Sequence, residues 1–403
     1  MQLTSAAWVS FTLNFVHRAR VRLCECEFET YPSDVYVMAL VNNTNNSSPN
    51  NISNCHGKKK QLSFAVFGLG RAGSIHLGNL ARNPRAVIRY VVEESRQRAD
   101  QVMAPFNLAI GDECQVLSVA ESKRVFEDDS VDAVIVCTYT HTHEEIVKKA
   151  LEADKSVFCE KPIATLLSAT KSCYDLAEQH GKMLFCAFNR RYDPSIRQLQ
   201  KRVRSGELGQ VQCIKTCSRD SPFPSLAYFK MSGGIFHDCA VHDIDMICWI
   251  LGELPDVVYT QAHTFHTELV EMDDVDQAAI TMKFPSGTIA TIDLNREACY
   301  GYDQRIEVFG TGGMLESRNH SHKINVVGHL GKQGASTEPL PHSFPQRYAE
   351  SYANELDYFI DYELGLDNHI EVSRSDTVNA TIIAEACEQS YRKGTAVKIK
   401  DMV

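Results

Sequence analysis

Apolar residues follow two different rhythms along this chain. From Leu62 the segment LSFAVF is a continuous apolar run of strand length that meets glycine at once. Such a run implies a strand buried on both faces of a parallel sheet. Similar runs recur at 86–92, 132–138, 156–159 and 183–188, and the gaps at 144–153 and 166–180 carry helix-like spacing. Strand alternating with helix predicts a doubly wound parallel sheet. Asp193-Pro194 then opens a polar helix that ends near Ser205-Gly206, with proline at the first helical position and glycine just past the end.

Beyond that point the period is two, at 210–217, 256–265, 275–284, 287–295 and 304–309. Pro285-Ser286-Gly287 predicts a tight hairpin, and Gly310-Thr311-Gly312-Gly313 another turn. This half reads as an α+β domain: a large, mostly antiparallel open sheet with helices on one face, one of them carrying HDIDMICWILG. Helical patterns at 346–364 and 375–393 complete the chain. Residues 1–60 show no sustained period and end in Asn/Ser-rich sequence and Lys58-Lys59-Lys60. They are expected to form an irregular, poorly ordered extension, leaving domains at 61–189 and 190–403.

Composition narrows the function classes. At 403 residues the chain has room for two domains with separate cores, and 44% hydrophobic with 23% charged residues is a globular balance. A net charge of -10 opposes binding to nucleic acid and to an anionic membrane surface. No apolar run reaches the roughly 18 to 20 residues that span a bilayer. Residues 6–16 have the apolarity of a short signal core but lack a preceding basic residue and a clear cleavage site. The 14 cysteines have no repeated spacing and sit largely in apolar runs. That is expected of small buried residues in a reducing compartment, hence the cytosol. Cys24, Cys26, Cys55 and His56 have poor spacing for zinc, and the Asn51-Ile52-Ser53 sequon reads as polar linker.

Four motifs carry candidate chemistry. Gly68-Leu69-Gly70-Arg71-Ala72-Gly73 lies between the first strand and a helix, the setting in which such glycines admit a pyrophosphate to a helix N-terminus. Glu93, at the end of the second strand, can accept from ribose hydroxyls and would repel a 2′-phosphate, which favours NAD over NADP. Glu160-Lys161-Pro162 closes the strand at 156–159, at the edge where ligands bind in an open parallel sheet, and a lysine there can stabilise a developing alkoxide. In the stretch from Gly233 to Asp245, a spacing of four puts Asp238 and His242 on one helical face. There His242 reads as a general base, as a metal ligand with His237, Asp238 and Asp243, or as a structural histidine.

These motifs in this order, with the segment from Thr138 to His143, FNRRYDP at 188–194, Ser218-Arg219-Asp220, YGYDQRIEVFG at 300–310 and RYAESYANEL at 347–356, resemble the Gfo/Idh/MocA oxidoreductase family. They are most similar to its inositol 2-dehydrogenase branch, from about residue 62 to the C-terminus. The resemblance implies a Rossmann domain that binds NAD through Gly68, Gly70, Ala72, Gly73, Glu93, Thr138, His143 and Glu160. It implies catalysis by Lys161, Asp238 and His242 without a metal, a cis Lys161-Pro162 bond, and a polyol pocket lined by Arg190, Asp220, Tyr300 and Tyr348. A homo-oligomer, commonly a tetramer, assembled through the open sheet face is implied as well. Thr140 departs from the asparagine many members have. The alternatives are a dehydrogenase of another sugar or of a dihydrodiol, and a non-catalytic dinucleotide-binding regulator.

Overall fold

Six apolar segments lie side by side in parallel: β1 (Leu62–Phe67), β2 (Ala86–Val92), β3 (Gln115–Leu117), β4 (Ala133–Val136), β5 (Ser156–Glu160) and β6 (Leu184–Ala187), in the order β3-β2-β1-β4-β5-β6. The computed structural model describes residues 61–106, 114–319, 328–329, 335–336 and 339–402. The expected extension at 1–60, with Cys24, Cys26, Cys55, His56 and the Asn51 sequon, lies outside the described residues. Every residue of β1 and of β4 is buried, as a strand covered on both faces requires. The connections run through α1 (Arg71–Arg82), α2 (Arg96–Met103), α3 (Lys123–Glu127), α4 (Thr140–Glu152) and α5 (Leu167–His180).

The chain then passes through α6 (Pro194–Arg204), which Asp193 caps by accepting from the Ser195 and Ile196 amides. The second sheet is built from β7 (Val211–Arg219), β8 (Val257–His263), β9 (Gln277–Lys283), β10 (Ile289–Asn295), β11 (Asp303–Gly310) and β12 (Gly313–Ser317). Its order is β12-β11-β7-β10-β9-β8, closed at the β8 edge by a short β15 (Val397–Lys398), with β13 (Gly328–His329) and β14 (Ala335–Ser336) as a separate ladder. The β10–β7 pair is parallel and the other pairs are antiparallel. Alternate residues of β9 are buried and exposed, so one face meets the core and the other is open.

The remaining helices are α7 (Leu226–Ser232), α8 (Val241–Leu251), α9 (Thr267–Val270), α10 (Phe344–Arg347), α11 (Ala349–Glu363) and α12 (Arg374–Lys393). The helix expected at 346–364 is divided at Tyr348 into α10 and α11. α11 belongs to the C-terminal half yet lies on the first sheet, where Phe359 packs 5.7 Å from Phe158 and 6.4 Å from Phe64 between ring centres. Asn83 on the turn after α1 donates to Asp357 at 2.7 Å. The expected α-helical start at Asp238 is instead a π-turn, Phe236–Ala240, which leads directly into α8. Such turns insert one extra residue and shift the helical faces that follow.

Candidate active site

The chain leaves β1 through Gly68, whose φ is +82°. A Cβ at Gly68 would stand 2.8 Å from the Cys137 carbonyl oxygen, and one at Gly73 only 1.9 Å from the Gly68 carbonyl oxygen. Both positions therefore require glycine. At Gly70 a Cβ would meet nothing within 4 Å, so open space lies over the middle of the loop, just before α1. Free N–H groups at a helix start beside open space suit a pyrophosphate, and the residues present fit a bound dinucleotide. Ala72 lies in the first turn of α1. The Glu93 carboxylate accepts from the Leu69 amide at 2.8 Å and the Ser95 amide at 3.0 Å. It thus braces the glycine turn, a contact that spacing alone did not announce.

Thr138 follows β4, with its methyl group 3.0 Å from where a Gly68 Cβ would be. His143 is buried, and its two ring nitrogens face backbone carbonyls, Pro162 at 2.8 Å and Thr138 at 3.0 Å. It ties the β4 end to the segment after β5, so it holds that edge from behind. Burial pushes its pKa down, while the two carbonyls act in the opposite sense. Glu160 closes β5 and pairs with His76 at 2.8 Å.

Lys161 follows, with a cis bond to Pro162. Its ammonium donates to Asp238 Oδ1 at 2.9 Å and to the Asp238 carbonyl oxygen at 2.7 Å. Asp238 also accepts from Arg296 Nη1 at 2.7 Å and from the Tyr228 hydroxyl at 2.9 Å. Burial by itself would raise its pKa, but Lys161 and Arg296 outweigh burial and hold the carboxyl well below the usual range. His242, the second residue of α8, packs edge-on to Phe188, and its buried Nδ1 has no partner among the described residues. Burial, then the charges of Lys161 and Arg190, push its pKa well below that of an ordinary histidine, against the pull of Asp238. At neutral pH the imidazole is uncharged, the form a general base needs.

Arg190 is buried and donates to Ser218 at 3.1 Å and Asp243 at 3.0 Å, with Tyr348 under its guanidinium at 5.7 Å. Asp220 follows β7 and lies 3.7 Å from Arg296; burial raises its pKa, with the Arg296 charge opposing. Tyr300 stands apart from this group. Its hydroxyl donates to Asp303 at 2.6 Å and accepts from Arg219 at 2.9 Å, and the residue is exposed. His237 and Asp245, neighbours of Asp238 in sequence, also point elsewhere. His237 faces Glu385 and Glu388 at 3.5 and 3.3 Å, and Asp245 takes a two-pronged contact from Arg191 at 2.6 and 2.8 Å.

Two members of the cluster escaped sequence reasoning. Arg296, just past β10, is 1% exposed, and its Nε and Nη2 lack partners among the described residues. Tyr228 comes from the short α7. Neither lies in a helical or strand register with Asp238. For Arg296 there was one signal, an arginine directly following the alternating strand IATIDLN.

Residues 62–188 match the oxidoreductase family described as having an NAD-binding Rossmann fold, and residues 196–316 match the GFO/IDH/MocA C-terminal domain. The chain is 33% identical over 343 residues to the myo-inositol 2-dehydrogenase of Thermotoga maritima, a match covering 85% of this chain and 100% of the relative. Among solved structures it resembles a myo-inositol dehydrogenase from Corynebacterium glutamicum, with TM-score 0.76 and 28% identity over 84% of this chain and 98% of that one. It also resembles the scyllo-inositol dehydrogenase from Lactobacillus casei with bound NAD(H) and scyllo-inositol, with TM-score 0.76 and 26% identity over 85% and 100% of the two chains. Its glycine loop, its lysine at the end of β5 and its two matched domains agree: the chain belongs to the GFO/IDH/MocA family of NAD-binding oxidoreductases.

Proposed function

We propose that this chain is an NAD-dependent dehydrogenase that oxidises one secondary hydroxyl of a cyclic polyol, an inositol, to a ketone. The observation that carries the reading is the Lys161–Asp238 pair at the β5 edge, with His242 within reach of both charges, on the same sheet as a glycine loop that fits a dinucleotide. The inositol dehydrogenases among its relatives support the substrate class. When bound, NAD supplies the hydride acceptor. His242 takes the proton of the ring hydroxyl, Lys161 stabilises the charge growing on that oxygen, and Asp238 keeps the ammonium aimed. The proton ends on the imidazole, the hydride leaves the ring carbon, and the carbon–oxygen bond becomes a carbonyl.

Arg190, Asp220, Tyr300 and Tyr348 are proposed to shape the polyol pocket, Tyr300 from its exposed side, since polar groups meant for hydroxyls discriminate strongly against analogues lacking them. Glu93 favours NAD, because its charge opposes a 2′-phosphate. Residues 61–189 serve the cofactor and 190–403 the substrate and assembly. A homo-oligomer, a tetramer, through the open face of the second sheet is supported by exposed Tyr259, Ile289, Phe309 and Met314. A cytosolic place is supported by the free thiols of the described cysteines, of which many are buried. Among the described residues no helix is long and apolar enough to cross a membrane.

The test is a spectrophotometric panel of inositols, aldoses and dihydrodiols with NAD and with NADP. Fastest reduction of NAD by an inositol is expected, and Glu93→Ser should narrow the gap between the cofactors. Activity confined to aldoses would move the substrate class. No reduction by any polyol would favour a dinucleotide-binding regulator.

A further inference from the structure

A second buried carboxyl group lies behind the β5 edge. Glu355, on α11, is 0% exposed, and neither of its oxygens meets a donor among the described residues. One polar atom each of Glu355, Glu160 and His76 lies within 4.8 Å of the others, and His76 Nε2 already pairs with Glu160 Oε1 at 2.8 Å. The rings of Phe158 and Tyr352 pack on His76 at 4.8 and 5.4 Å. The other titratable groups facing Glu355 are Tyr192, Tyr352 and Cys137. None of these brings a positive charge, and among the described residues no lysine or arginine pairs with Glu355.

An ionised carboxylate with neither donor nor cation at full burial is far more costly than a protonated one. A second carboxylate within reach tips the balance further, because two like charges so close share one proton. Burial, then the Glu160 charge, push the pKa of Glu355 well above the carboxylate range.

We propose that Glu355 is held as a neutral carboxylic acid that shares its proton with Glu160, directly or through one water, and so positions the Glu160-Lys161 strand end from behind. Glu160 then rests between two donors, the His76 ring and the Glu355 hydroxyl. Glu355 is a positioning residue: it acts on Lys161 through Glu160 and touches no reacting atom. Its effect on turnover rests on the reading of Lys161 given above, while its protonation does not.

The test uses the full chain at neutral pH. Infrared spectra of wild type and Glu355→Gln should differ by the carbonyl band of a protonated carboxylic acid, sensitive to deuterated water and present only in wild type. Glu355→Leu should lower kcat by up to about 10²-fold, the scale of a small misplacement at a reacting centre. It should also displace the pH profile, and Glu355→Gln, which keeps an uncharged donor, should recover both. Absence of the band would overturn the proposal, as would a Glu355→Gln enzyme as impaired as Glu355→Leu. So would a stoichiometric divalent ion found by elemental analysis in wild type and lost in Glu355→Gln. The infrared result stands even if no polyol is turned over, so failure here and failure of the dehydrogenase reading are separable.

Discussion

Asp238 and Asp245 leave the same helical stretch, and each buries its carboxylate against an arginine, yet their surroundings lead to opposite outcomes. Asp245 is gripped at both oxygens by Arg191, whose remaining N–H groups are spent on the Glu371 carbonyl and Asp376. Burial raises its pKa more than Arg191 lowers it, and the charge of Asp376 adds to the rise. Asp238 meets two cations and a phenol, and its pKa falls. Arg296 behind it keeps two nitrogens, Nε and Nη2, without partners among the described residues. The closed pair is a rivet between the turn before α6, which holds Arg191, and α8, which holds Asp245. The open cluster, in the function proposed above, holds charge in readiness for a substrate. A buried arginine–aspartate pair thus says little until its unspent atoms are counted.

The sharpest way to break this contrast is His242→Ala. Turnover should fall by about 10²- to 10⁴-fold, the usual contribution of a positioned base, with the thermal midpoint nearly unchanged and a chelator without effect on wild type. Near-normal turnover would remove His242 as the base. Arg191→Leu should do the reverse: it strands Asp245 and should cost about 3–5 kcal/mol of stability in urea denaturation. The kcat of the folded fraction at low temperature should hold. A large loss of kcat with stability intact would erase the distinction between rivet and site.

A smaller effect is expected at Arg296→Gln. Removing one of two cations should raise the pKa of Asp238 and loosen the aim of Lys161, lowering kcat by roughly 10-fold, about the worth of one charge-assisted hydrogen bond. The acid limb of the pH–rate profile should move to higher pH, because Asp238 protonates sooner. An unmoved limb would leave Arg296 with packing alone.

The first sheet was legible because parallel strands buried on both faces must be written as unbroken apolar runs, and LSFAVF and AVIRYVV can hardly be anything else. β3 escaped because three residues, QVL, make no run. The second sheet was legible by alternation, clearest in QAAITMK. In the candidate site, Lys161, Asp238 and His242 were singled out through motif order, but the π-turn at Asp238 has no mark in FHDCA. Glu355 did leave a trace, a lone acid on the buried stripe of Tyr352, Leu356 and Phe359. Its meaning depended on α11 crossing back to the first sheet, a long-range event that local pattern does not encode.

The smallest effect separates the two regions by proton uptake. The folded pKa of His242 lies well below its ordinary value, through burial first and then Lys161 and Arg190. The unfolded chain takes up a proton at about pH 6.5, while the folded chain does not until much lower pH. In that window the unfolded state binds more protons, so stability falls as pH drops below about 6.5, by at most about 1.4 kcal/mol per pH unit from this one group, and is flat above it. His242→Asn removes the term, so the variant should gain on wild type as the pH falls from neutral to mildly acid, in parallel urea titrations. Wild-type kcat/KM should hold through the same window, because the imidazole is still uncharged there. A stability gap independent of pH, or an acid limb at the ordinary histidine value, would mean that the imidazole is solvated, and the cleft would then be no more specialised electrostatically than the Arg191 pair.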